Sequence, residues 1–278
     1  MSDATGYATM MVRLQLADRN DALLSAATGL AKRFEARLVG VAVSRPMQIV
    51  YGDGYVMGDL IRADQEQIQR DLHEAKTFFD KAVQGLRAEW RGAEVFVGIP
   101  GYLAEEARCA DLIIIGHDRG ASLLDPARRV ENSDLVMQAG RPVLIVPHDV
   151  PALPLDHVLV GWTDTRETRR AVRDALPFLA RAKQVTLATI VPPVELDGAT
   201  KRLADVHAWL QAHGIKAEIL AVAATGDDAI RLNAIAREHK ADLLVAGAYG
   251  HSRLREWVLG GVTHDLLLRA ERCVLVSH

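Results

Sequence analysis

The segment Ala110-Asp111-Leu112-Ile113-Ile114-Ile115-Gly116 returns later in the chain as Ala241-Asp242-Leu243-Leu244-Val245-Ala246-Gly247. A second pair keeps step with it: Arg141-Pro142-Val143-Leu144-Ile145-Val146 returns as Arg272-Cys273-Val274-Leu275-Val276-Ser277. From Asp111 to Asp242 and from Arg141 to Arg272 the step is the same, 131 residues. Two apolar runs that share one offset with no gap between them mark an internal repeat, and a repeat decides architecture before any single residue does. The 278 residues therefore read as two homologous domains, 1–148 and 155–278. Between them, Pro147, Pro151 and Pro154 stop any helix or central strand.

Outward from these runs, short β-branched segments alternate with helical patterns. In the second half the expected strands are His157–Trp162, Gln184–Val191, Ala217–Val222, Asp242–Gly247 and Cys273–Ser277. Between them Leu203, Val206 and Leu210 recur at helical spacing, as do Ile230, Ala234 and Ile235 after an Asp227 N-cap. In the first half they are Met10–Leu16, Arg37–Val43, Glu94–Ile99, Asp111–Gly116 and Val143–Val146. One long amphipathic helix carries Ile68, Leu72, Phe79, Val83, Leu86 and Trp90. Alternation of this kind gives an α/β fold: two tandem Rossmann-like domains, each a five-stranded parallel sheet with helices on both faces. Gly52-x-Gly54-x-x-x-Gly58 follows a proline loop rather than a strand and is one residue too long for a dinucleotide fingerprint.

Composition sets the outer limits. At 49% hydrophobic and 25% charged the chain is ordinary globular protein, and a net charge of −3 supplies no field for holding nucleic acid. Cys109 and Cys273 lie far apart in apolar neighbourhoods and read as small core residues, neither a disulfide nor a metal site. No apolar run reaches membrane-spanning length and no leader precedes the first strand, so a cytoplasmic protein without membrane contact is expected. The ten histidines scatter without ligand spacing, which argues against a metal site.

In an open parallel sheet ligands bind outside the carboxyl ends of the strands. There the fourth strand of the second half runs into Gly247-Ala248-Tyr249-Gly250-His251 and on to Gly260-Gly261-Val262-Thr263. Glycines admit backbone close to a ligand, and the last helix opens at Gly261 with free N–H groups that favour an anion. Taken alone, Gly247-x-x-Gly250 is more often a plain turn; the second glycine pair at this distance turns the balance toward a phosphate cradle.

This spacing resembles the G-x2-G-x9-G-[S/T] nucleotide signature of the UspA-type universal stress protein family, with Gly247, Gly250 and Gly260 in register. Gly261 stands where the family places Ser or Thr, and Thr263 follows two residues on. The resemblance implies the adenine nucleotide alpha hydrolase-like fold, in which the last strands of the two domains pair as an intramolecular pseudo-dimer through Val143, Ile145, Val274 and Val276. It also implies ATP, or ADP or AMP, as cofactor, with or without Mg2+, and slow hydrolysis at most. By position the nucleotide contacts would be Thr163, Asp164, Ile190, Gly247, Gly250, His251, Gly260, Gly261, Val262 and Thr263. Trp162 reads as packing, with stacking on a base left open.

The first half is the internal control. At the 131-residue offset Gly250 becomes Arg119, Gly260 becomes Arg129, Gly261 becomes Val130 and Thr263 becomes Asn132, so no nucleotide is expected there. P-loop, nucleophile-elbow and zinc-protease motifs are missing, and a non-enzymatic, ATP-binding stress-response module acting on an unidentified protein partner is the reading. The alternative is a nucleotide-independent scaffold. A homodimer through the long helix stays open.

Overall fold

The computed structural model describes residues 6–47, 58–96, 98–117, 132–248 and 271–278. In the first half the strands are Thr9–Arg13 (β1), Arg37–Ser44 (β2), Ala88–Glu94 (β3), Leu112–Gly116 (β4) and Val143–Val146 (β5). In the second they are His157–Gly161 (β6), Gln184–Val191 (β7), Glu218–Ala223 (β8), Leu243–Gly247 (β9) and Cys273–Ser277 (β10). All ten form one sheet in the order β3-β2-β1-β4-β5-β10-β9-β6-β7-β8. Every pairing is parallel except the central one, β5 with β10.

That central seam carries the symmetry of the repeat. Val143 faces Val276, Leu144 faces Leu275 and Ile145 faces Val274. Leu144 and Leu275 are repeat mates, and the other two pairs exchange under the same 131-residue step. A two-fold axis through the seam requires this arrangement, and pairing the strands removes two open sheet edges. All six side chains are buried to 1% exposure or less.

The sheet is covered on both sides. Asp21–Phe34 (α1), Gly58–Ala82 (α2), Arg166–Asp174 (α5), Leu176–Leu179 (α6) and Leu196–Ala212 (α7) contribute to one apolar layer with Met10, Val12, Leu144, Val158, Val245 and Leu275. Ile99–Glu106 (α3), Asn132–Ala139 (α4) and Asp228–Glu238 (α8) build the other, with Met11, Ile113, Ile145, Leu244 and Val274. Successive residues of each strand alternate between the layers, as the pleat demands. Both layers run through the two halves without a break.

The first layer has a second bridge between the halves. Tyr7, Phe34 and Phe178 form a ring cluster with centroids 5.1–5.5 Å apart, and the Tyr7 hydroxyl donates to the Asp174 carbonyl at 2.6 Å. Arg33 donates to the carbonyls of Leu153 and Pro154, which fastens the proline-rich junction to the end of α1. As expected, the junction carries neither helix nor strand.

Three expectations are corrected. The third strand is Ala88–Glu94 rather than Glu94–Ile99, and Ile99 begins α3. Val83, Leu86 and Trp90 therefore lie beyond the long helix, which ends at Ala82, and Trp90 packs from β3 onto Phe79 at 5.5 Å between centroids. β3 is an edge strand carrying Glu89, Arg91 and Glu94, so it lacks the apolar pattern that marks a strand in sequence. In α8, Ile230 is 69% exposed and Leu232 takes the core position beside Ile235; the Asp227 cap itself is present, accepting from the N–H groups of Ala229 and Ile230.

Cys273 is buried, but Cys109 is exposed on a short 3-10 turn, Ala107–Cys109. Burial, with the charge of Asp242 behind it, pushes the Cys273 thiol up to about 12. One thiol per chain is therefore expected to react with an aromatic disulfide reagent at neutral pH, and Cys109→Ser should abolish that reaction while unfolding restores one equivalent. Rapid labelling of two thiols in the folded chain would contradict the buried position of Cys273.

Candidate functional site

The strand order reverses between β6 and β9: β7 and β8 lie beyond β6, whereas β10 lies beyond β9. At such a switch point the following segments leave toward opposite faces and open a crevice at the carboxyl ends of the strands. Register aligns Gly161 of β6 with Ala188 of β7 and with Ala246 of β9. Thr163, Ile190 and Gly247, each one or two residues beyond that line, thus sit along one edge of three adjacent strands. Thr163 is exposed, and Ile190 is half-buried against the layer that holds α8.

Helix α5 starts at this edge. Its N-cap, Thr165, has an extended backbone and accepts from the Thr168 N–H, which satisfies one of the free donors of the first turn. Glu167 in that turn is buried and bonded to Arg166. Burial alone would raise its carboxyl, but the Arg166 bond and charge outweigh it and hold the group below its ordinary value.

Gly247 is explained by this helix. A Cβ there would lie 2.5 Å from the Thr168 backbone nitrogen and 2.8 Å from the Glu167 carbonyl carbon. Glycine is required for α5 to seat against the end of β9, a close approach of helix to strand rather than of backbone to ligand. Asp164 points elsewhere: its carboxylate accepts from Arg169 Nη2 at 2.9 Å and lines a cleft between α5 and α7. Trp162 packs against the layer of α5 and α7 and lines the same cleft. That cleft was not anticipated, because Trp162 and Trp209 stand on different elements. A usable sign of it was Phe78, which lies 131 residues before Trp209. Gly250, His251, Gly260, Gly261, Val262 and Thr263 lie outside the described residues, as do Gly52, Gly54, Arg119, Arg129 and Val130.

The first half differs at the corresponding edge. Gln15 follows β1 as Thr163 follows β6, and its side chain comes to 3.9 Å from the position a Cβ would take on Gly116. Asn132, the repeat mate of Thr263, is buried and donates to the Gly116 carbonyl at 3.2 Å. Among the described residues no group of three or more His, Cys, Asp or Glu side chains is arranged to hold a metal, and no helix is long and apolar enough to cross a membrane.

Comparison with known proteins bears on the half that contains the switch point just described. Residues 154–278 match the model of the universal stress protein family. The second half is a universal stress protein domain. No curated protein matches the chain. Among solved structures, a universal stress protein from Archaeoglobus fulgidus shares 18% identity at a TM-score of 0.72, covering 97% of this chain and 95% of its own. A functionally unknown protein from Pseudomonas aeruginosa PAO1 shares 17% at 0.60, covering 98% and 93%. A universal stress protein, so assigned provisionally, from Pseudomonas aeruginosa UCBPP-PA14 shares 18% at 0.57, covering 98% and 94%. These likenesses extend the fold across both halves, so the universal stress protein domain is joined through β10 to a first half of the same topology.

Proposed function

We propose that the chain binds one adenine nucleotide, ATP, ADP or AMP, at the carboxyl edge of β6, β7 and β9, and that the bound form is what a protein partner recognises. The observation that carries this reading is the switch point between β6 and β9, which opens beside Gly247 at the start of the segment bearing the Gly250 and Gly260-Gly261 spacing. Thr163 and Ile190 would border the base, and the N–H groups at Gly261–Thr263 would take the phosphates, with Mg2+ accompanying a triphosphate. Asp164 takes part only if its pair with Arg169 opens. Shorter relatives, each matching about half of this chain, include a universal stress protein crystallised with cAMP and one from Archaeoglobus fulgidus crystallised with dAMP.

Nucleotide would join the Gly247–Gly250 segment to the helix beginning near Gly261 and so favour one arrangement of the residues between them, a population shift that a partner reads. Hydrolysis is expected to be slow at most: among the described residues no group of three or more His, Cys, Asp or Glu side chains is arranged to hold a metal beside a triphosphate. The reading for the first half is structural: Gln15 and Asn132 occupy its strand edge beside Gly116, which supports a single site per chain.

Calorimetric titration with ATP, ADP and AMP tests the site. Gly250→Arg, which introduces the residue type found at the repeat mate Arg119, is expected to weaken binding at least about tenfold with an unchanged Tm, since a guanidinium side chain would fill the phosphate space. Equal affinity in the variant would contradict the assignment, and no binding to the parent chain at millimolar nucleotide would favour the scaffold.

A further inference from the structure

The cleft between α5 and α7 adjoins the strand-edge site at Asp164 and the loop after β6 but has a composition of its own. Trp162, from the loop after β6, and Trp209, from α7, line it together with Val172 and Val206. Its volume, about 430 Å³, falls in the range of small-molecule sites, and charged side chains stand beside the apolar ones in its lining. Trp209 is still 38% exposed although His213 packs edge-on against its ring at 4.5 Å between centroids, so part of the indole faces the cleft.

Three guanidinium groups border the cleft. Arg169 is held by Asp164 at 2.9 Å, Arg202 reaches only Glu195 at 3.6 Å, and Arg173 makes no hydrogen bond or ion pair among the described residues. A guanidinium beside an indole is suited to a flat body carrying a carboxylate: the ring packs on the aromatic face and the fork binds the acid. Asp205, also in the wall, opposes a second negative charge.

The repeat supplies the comparison. Between α1 and α2 the first half has a cleft of about 590 Å³ at the related place, and Phe78 stands in it where Trp209 stands in the second. Its charges are mainly acidic: Asp71 takes the place of Arg202 at the 131-residue step, Asp21, in the first turn of α1, takes that of Arg169 in the first turn of α5, Glu74 matches Asp205, and Arg19 supplies a cation. The fold provides the hollow twice, but only one copy is equipped for an anion.

From these contrasts we infer that the α5/α7 cleft binds a small, flat aromatic molecule with a single negative charge, of the aryl carboxylate class, independently of the nucleotide site. The test is calorimetric titration of the full chain with 2-naphthoate, its neutral counterpart 2-naphthamide, and ATP as competitor. One 2-naphthoate is expected to bind per chain. Combining Arg173→Ala with Arg202→Ala, or making Trp209→Ala in a chain whose Tm shows it folded, should weaken binding at least about tenfold, and the amide should bind correspondingly weakly. Phe78→Ala in the twin cleft and saturating ATP should leave the affinity unchanged. Absence of 2-naphthoate binding, equal affinity for acid and amide, indifference to the arginine variants, or displacement by ATP would each overturn the inference. Failure of the nucleotide titration would leave these results unaffected, because the two sites share no ligand.

Discussion

Leu275→Ala is expected to lower the unfolding free energy by about 2–5 kcal/mol, and Leu144→Ala by a similar amount, measured by chemical denaturation. Each leucine is fully buried in the seam and faces its own repeat mate, so the two truncations remove the same atoms from the same two-fold environment. Because the side chains share one contact, the double variant should cost less than the two single losses added together if the second truncation enlarges an existing cavity, or more if the seam gives way. Leu275→Asp goes further by placing a carboxylate where no partner can reach it, and loss of the cooperative transition is expected. Near-neutral alanine variants at both positions would mean that the halves are not joined through β5 and β10.

Gly247→Ala is the second large effect. The added methyl meets the Thr168 backbone nitrogen at 2.5 Å, and backbone at the start of a capped helix cannot swing aside as a side-chain tip can. A loss of about 1–3 kcal/mol or more is expected, with α5 displaced from β9. The repeat provides the control. At Gly116 the nearest contacts are side-chain atoms at 3.9 Å, so Gly116→Ala should cost no more than about 0.5 kcal/mol. Thermal unfolding of the two variants side by side decides it. Equal stability would show that Gly247 is not the seat of α5 and would return it to the role of a ligand-approach glycine.

Much of the architecture was legible because it rests on repetition and on strands buried on both faces. Leu112–Gly116, Leu243–Gly247 and the two seam strands are near-continuous apolar runs whose shared offset marks the tandem order, while the pairing of β5 with β10 was what the family resemblance implied. β3 was misplaced for the opposite reason. Its half-exposed edge carries charge, while the neighbouring Val95, Phe96 and Ile99 imitate a strand, and Trp90 falls by coincidence at helical spacing from Val83 and Leu86. Ile230 lies at helical spacing from Ala234, but the face that α8 turns to the sheet is that of Leu232, Ile235 and Ala236, and only the packing of α8 decides between the two.

The candidate site was legible only in part. The crevice follows from strand order, which the alternation of elements implies, but the duty of Gly247 toward α5 and the diversion of Asp164 to Arg169 depend on tertiary contacts that no local pattern contains. The α5/α7 cleft was hidden for the same reason. Its two tryptophans are separated by α5, α6, β7 and most of α7, and only the repeat step linking Phe78 to Trp209 connects the two halves at that point.

Of two halves with the same topology, the second is proposed to bind adenine nucleotide and the first is not. Equilibrium dialysis of the full chain against radiolabelled ATP measures this as a stoichiometry. One nucleotide per chain is expected at saturation, lost with Gly250→Arg. Two per chain would contradict the closed first-half edge at Gln15 and Asn132, and none would contradict the second-half site.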